Sequence, residues 1–350
     1  MPWLRSRHRR QLFGKRDQRA NAFNQKTALN LPNIDSPTAE NVIGRSDEPA
    51  SVNKRFIGWC IYLAILCGAF ALPLREFASY ARHSDVHSYV LLIPFVTAYL
   101  MYIRWKQLSR ELSSSWGYAL LLAAAGAGAL LASLHFTELG QNDHMTLIAL
   151  SFVCFVIAGI FLFLGSKWAR SAMFPLFFLA FMIPLPEAAV DFLENASKEA
   201  SAEVANWLFL ISGTPALRTG TLFQLPGISI IVAKECSGIR SSLVLTITSL
   251  LAANMFLRTT WRRALLVVAV IPLGLLRNGL RILVISLLCV HIGPEMINSV
   301  IHRRGGPLFF VASLIPLFVL LWWLRRRDVA AQQRRAPANS KSIPADVPIV

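Results

Sequence analysis

Charged side chains are scarce in this chain: Asp, Glu, Lys and Arg make up 15% of its 350 residues, while 55% are hydrophobic. A water-soluble domain carries about a quarter charged residues, so that class is excluded. Acids are the scarcer sign, 19 against 35 Lys plus Arg, giving a formal charge of +16. Cysteine is rare as well, five in all. Cys60, Cys67, Cys154 and Cys289 fall in apolar runs, where cysteine acts as a small hydrophobe, and their spacing matches no metal signature. With Cys236 the lone cysteine of the loops, no disulfide is expected there, and no cofactor is expected either. No internal repeat divides the chain.

What the sequence has instead is long apolar runs. A segment crossing the hydrocarbon needs about 20 mostly apolar residues, because every backbone amide must be satisfied within its own helix. Eight runs qualify: Phe56–Pro73, Val86–Ile103, Gly117–Leu134, Met145–Leu164, Met173–Leu185, Ser237–Leu257, Ala264–Val290 and Pro307–Leu324, the fifth being short. The expected fold is therefore an all-α polytopic membrane protein of about eight transmembrane helices.

The excess of positive charge could serve nucleic acid, but its distribution argues against such a partner. Basic residues cluster between alternate helices: in 1–55, at Arg104, Lys106 and Arg110, at Lys167 and Arg170, at Arg258, Arg262 and Arg263, and at Arg325 to Arg327. By the positive-inside rule these are cytoplasmic, and eight crossings then place both termini on that side. Arg9-Arg10 is too far from the first apolar run to be an export signal, so that run is read as an anchor. Residues 1–55 and 326–350 read as disordered cytoplasmic ends flanking a membrane domain of residues 56–325.

The largest outward loop spans residues 186–236 and carries structure of its own. Leu193, Ser197, Ala200, Val204, Trp207, Leu208 and Ile211 recur at helical spacing, which predicts an amphipathic helix lying on the outer interface or packed on other helices. Thr219–Leu225 and Ile228–Ala233, joined by Pro226-Gly227, predict a small β-hairpin that leads to Cys236.

That cysteine, in Lys-Glu-Cys-Ser-Gly-Ile-Arg-Ser-Ser (234–242), has polar company and immediately precedes the sixth apolar helix. A helix N-terminus favours the thiolate, and its free N–H groups could hold an oxyanion. Arg277, Asn278 and Arg281 lie well inside the seventh helix, where a cation is costly unless a cavity or partner receives it. Arg281 stands about 6 Å farther out at 1.5 Å per residue, so it is the better placed to meet Cys236, and Arg277 reads as structural. A histidine would supply proton transfer. His83, His87, His135, His144, His291 and His302 all fall on the outer side, so side alone selects none; Gly305-Gly306 and a short return to the last helix favour His302.

At these three places the sequence resembles the exosortase/archaeosortase family of polytopic membrane cysteine transpeptidases. The resemblance rests on Lys234 to Ser242, on Asn278-Gly-Leu-Arg-Ile282 and on His302 followed by Gly305-Gly306, and covers roughly residues 60–325. It implies Cys236 as nucleophile, Arg281 as transition-state stabiliser and His302 as general acid and base. It further implies membrane-anchored exported partners with a C-terminal sorting tag, of a Pro-Glu-Pro-like motif, a hydrophobic helix and a basic end. An envelope glycan or lipid acceptor and an inner-membrane location, with the active site on the outer, periplasmic side, belong to the same expectation. Lys234-Glu235 and the basic N-terminal extension depart from the family pattern. Composition also suits a transporter or channel lined by Arg277 and Arg281, or a non-catalytic envelope-assembly protein; the ordered set Cys, Arg, His favours the enzyme.

Overall fold

The computed structural model describes residues 48–84, 86–109, 111–136, 138–232, 238–293, 295–296 and 306–335. By compactness the chain divides into residues 1–58 and 59–350, and the first unit is described only from Glu48 onward. In chain order the helices are α1 (Glu48–Ala69), α2 (Ala71–His83), α3 (Ile93–Arg104), α4 (Trp116–His135), α5 (Gln141–Phe163), α6 (Gly165–Ser171), α7 (Met173–Leu179) and α8 (Glu187–Ile211). Strands β1 (Leu217–Thr219), β2 (Leu222–Leu225) and β3 (Ile228–Ile231) follow, then α9 (Ile239–Phe256), α10 (Thr260–Val268), α11 (Val270–His291) and α12 (Gly306–Arg335). Short 3₁₀ turns flank α3 and follow α7.

Six helical stretches are long and apolar enough to cross a membrane, and two bent pairs raise the number to eight if each is one crossing. The breaks have a common cause. Pro73, Pro175 and Pro272 each stand four residues after the last residue of a helix, at Ala69, Ser171 and Val268. Lacking an N–H, proline cannot bond the carbonyl four residues back, so the ladder ends there and restarts. The 70° bend between α1 and α2 is such a point. The fifth expected span is corrected by the same chemistry: its helical part ends at Met182, Pro184 and Pro186 hold the chain extended, and α8 leaves at 90°. Ten residues from Met173 to Met182 reach about 15 Å, half of a hydrocarbon core.

α5 is the most buried candidate span, and close packing around it uses small residues. A Cβ on Gly126 of α4 would meet Ser151 O and Cys154 Cβ at 3.2 Å, and the Tyr62 ring lies over Gly159 while its Oη donates to Phe155 O at 3.0 Å. Lipid offers no hydrophobic drive between helices, so such contacts and hydrogen bonds hold the bundle.

The segments that carry the basic clusters within residues 59–350 are joined through polar and acidic neighbours. Arg104 donates to Asn254, Lys167 pairs with Glu111, and Ser109 N donates to Ser171 Oγ at 3.1 Å. Asp328, 5% exposed, accepts from Arg258 N at 3.0 Å, from Thr259 Oγ1 and from Arg262 Nη1. One carboxylate on α12 thus holds the connection between α9 and α10 and the first turn of α10. The last helix reaches Arg335, ten residues into the tail expected to be disordered from 326, and α1 already begins at Glu48.

Beyond α8 the sheet is three-stranded and antiparallel in the order β1-β2-β3, where a single hairpin was expected. Gly220, at φ +62, turns the chain inside the stretch read as one strand. Arg218 on β1 pairs with Glu203 of α8, and Phe223, Leu225, Ile230 and Val232 bury themselves with Phe209, Ile282, Ile285 and Cys289. The sheet therefore caps the second half of α11.

Candidate active site

Three helices meet around Asn278. On α8 the packed face is Ser201, Ala202, Ala205 and Phe209, while Phe192, Leu193, Trp207, Leu210 and Ile211 are exposed. Of the apolar face read from spacing, Leu193, Trp207 and Ile211 are thus turned outward, while Val204 meets α11. In lipid, large apolar side chains gain nothing by packing inward, whereas small ones let backbones approach. One face of this helix is thus packed on α11, while its large apolar residues stay exposed. The approach is closest at Gly279 of α11, where a Cβ would lie 2.7 Å from Val204 Cγ1 and 3.2 Å from Ala205 N.

The third helix, α9, begins beside this crossing. Its N-cap is Gly238 at φ +64, ψ 15, a left-handed conformation natural to glycine. A Cβ there would also stand 2.3 Å from Asn278 Oδ1, so the position is closed to a side chain twice over. The Gly238 carbonyl accepts from Ser242 N at 2.9 Å, from Ser241 Oγ at 2.9 Å and from Arg277 Nη2 at 3.2 Å. Arg277 Nη2 also donates to Ser242 Oγ at 3.2 Å and to Asn278 Oδ1 at 3.1 Å, and Asn278 Nδ2 faces Ser201 Oγ at 3.4 Å. Arg277 is 6% exposed and Asn278 3%. Arg281, one turn on along α11, is half-buried.

Of the three expected catalytic residues, Arg281 lies among the described residues and Cys236 and His302 lie outside them. The chain next to each can still be followed. Gly238 is two residues after Cys236, and Gly306 is four after His302. Measured from the residues joined at Asp328, twenty residues lead from Arg258 to Gly238, nineteen from Arg262 to Arg281 and twenty-two from Asp328 to Gly306. At 1.5 Å per residue these are about 30, 29 and 33 Å, each close to one hydrocarbon thickness.

Sequence reasoning placed Arg277 apart from the cysteine segment, yet it is the arginine whose guanidinium touches Gly238. It also passed over Ser201; the signal available was the small-residue run at 201, 202 and 205 facing a glycine in α11. Among the described residues no group of three His, Cys, Asp or Glu forms a metal cluster.

The comparisons with known proteins bear on the same stretch of chain. No curated protein and no solved structure matches it. The family model for transmembrane exosortase matches residues 81–319, about two thirds of the chain, which takes in the crossing of α8, α9 and α11. With helices of spanning length and that match in one chain, this polytopic membrane protein belongs to the transmembrane exosortase family, and its general task is that of a membrane sorting transpeptidase.

Proposed function

We propose that this chain is a cysteine transpeptidase that cleaves the C-terminal sorting tag of membrane-anchored exported proteins and passes them to an envelope acceptor. The membrane domain of residues 56–325 does the work, with both ends of the chain in the cytoplasm and the site at the outer face of the inner membrane. Cys236 Sγ, as thiolate, attacks the scissile carbonyl carbon. Arg281 and backbone N–H groups stabilise the oxyanion, His302 gives a proton to the leaving amine as the C–N bond breaks, and a thioester remains. An acceptor nucleophile or water then displaces the sulfur. A substrate anchored by its own helix reaches the site by a two-dimensional search, which raises its local concentration.

The observation that supports this reading best is the shared level. Gly238, Arg281 and Gly306 each stand about one hydrocarbon thickness along their helices from the bonds at Asp328, a common depth that supports a site drawing on all three segments. A transporter lined by Arg277 and Arg281 is less well supported, because Arg277 is 6% exposed and committed to Gly238 and Ser242.

The test is Cys236→Ala. Full-length tagged proteins should accumulate in the membrane while the variant itself stays inserted, and Arg281→Lys, which keeps charge but loses the planar fork, should slow processing strongly. Undiminished tag cleavage by Cys236→Ala ends the thiol mechanism.

A further inference from the structure

We infer that Arg277 is a positioning residue of this reaction, holding the backbone that carries the nucleophile; the inference rests on Cys236 being that nucleophile. A guanidinium among apolar helices has to be satisfied by acids, backbone carbonyls or other polar groups, and the choice of partner decides what it holds in place. Arg277 meets no acid among the described residues: its hydrogen-bond partners are the Gly238 carbonyl, Ser242 Oγ and Asn278 Oδ1, and its Nη1 is buried with no hydrogen-bond partner there. Its guanidinium is spent on the first turn of α9.

What it holds is narrowly defined. Gly238 is kept in the left-handed region with Asn278 packed where a Cβ would be, and Asn278 is in turn steadied by Arg277 and Ser201. Two peptide units cannot separate the Cα atoms of Gly238 and Cys236 by more than about 7.6 Å. A displacement of the Gly238 carbonyl is therefore delivered to residue 236 with little chain to absorb it. A misplacement of about 1 Å at a reacting group can cost a hundredfold in rate. Lysine offers one point charge and cannot span Gly238 O and Ser242 Oγ with a fixed fork. Arg277 thus acts through the backbone and not on the substrate.

The experiment uses the full chain in lipid nanodiscs, with Cys60, Cys67, Cys154 and Cys289 changed to Ala so that a water-soluble maleimide reads Cys236. The substrate is a tagged membrane protein recovered from a Cys236→Ala strain. Arg277→Lys should lower kcat at least tenfold with KM within twofold, and should change the maleimide rate at Cys236 at least threefold. Ser242→Ala should lower kcat two- to fivefold, and the double variant should be no slower than Arg277→Lys alone, since the two groups act as a unit. A kcat within twofold of wild type in Arg277→Lys overturns the inference, as does an unchanged maleimide rate. Should Arg277→Lys fail to fold, Ser242→Ala decides by the same readouts. The maleimide arm reads the position of residue 236 whether or not it is catalytic, so retained processing by Cys236→Ala sinks the nucleophile and leaves the role of Arg277 separately measured.

Discussion

Gly238→Ala is the sharpest perturbation the structure offers, because two independent costs fall on one methyl group. Residue 238 sits at φ +64, and an L-residue in that region costs about 1–2 kcal/mol. The new Cβ would lie 2.3 Å from Asn278 Oδ1, 2.5 Å from Nδ2 and 2.7 Å from Cγ, so about 1 Å of movement is needed in an interior that is close-packed. Asn278 has little freedom to move, being 3% exposed and bonded to Arg277 and Ser201. Losing a neutral hydrogen bond costs about 1 kcal/mol and one to a charged group about 1.5–3. The local arrangement should lose about 3–5 kcal/mol, a factor of a hundred or more in processing rate if the nucleophile depends on it. The assay is processing of a tagged membrane protein alongside the thermal midpoint in detergent. Asn278→Ala should be costly alone yet add little to Gly238→Ala, since the side chain that clashes has then gone. A Gly238→Ala protein that processes within twofold of wild type, or a double variant whose losses simply add, refutes the reasoning.

Asp328→Ala removes the carboxylate that accepts from Arg258 N, from Thr259 and from Arg262, and should lower stability by about 2–4 kcal/mol, below the usual figure for a fully buried pair because the Arg262 side chain is 21% exposed. A thermal midpoint unmoved by it, measured in the same detergent, would show that the basic end is held by other means. His87, 3% exposed and with Nε2 lacking a hydrogen-bond partner among the described residues, is held by burial below the ordinary histidine pKa of 6.5. The folded chain then binds that proton less readily than the unfolded one, so the contribution of neutral His87 is present above pH 6.5 and is lost as pH falls below it. Thermal midpoints taken between pH 7.5 and 5 should fall less in His87→Asn than in wild type, and parallel slopes would exclude the effect.

Residue type alone settles a good deal in this protein. Apolar runs near 20 residues long specify membrane-spanning helices in any context, because the backbone has no other partner in hydrocarbon, and Trp116–His135, Gln141–Phe163 and Ile239–Phe256 stand where hydropathy put them. The alternation of basic clusters likewise anticipates the joined end of the bundle, where Arg258 and Arg262 meet Asp328. Proline spacing carries the breaks at Phe70, Ala172 and Ala269, although only the missing N–H bond makes that visible.

Other features had no local signal. Which face of α8 packs depends on what lies opposite, and Gly279 provides the close approach that selects Ser201, Ala202 and Ala205 over the larger residues beside them. The third strand needed Gly220 to turn, a matter of backbone sign that a β-prone run conceals. Spacing along α11 ranked Arg281 ahead of Arg277 as the neighbour of the cysteine segment by axial height alone. Rotation about the helix axis is set by contacts with α8 and α9, and it turned Arg277 onto Gly238; a one-dimensional pattern holds no record of that angle until three helices are packed together.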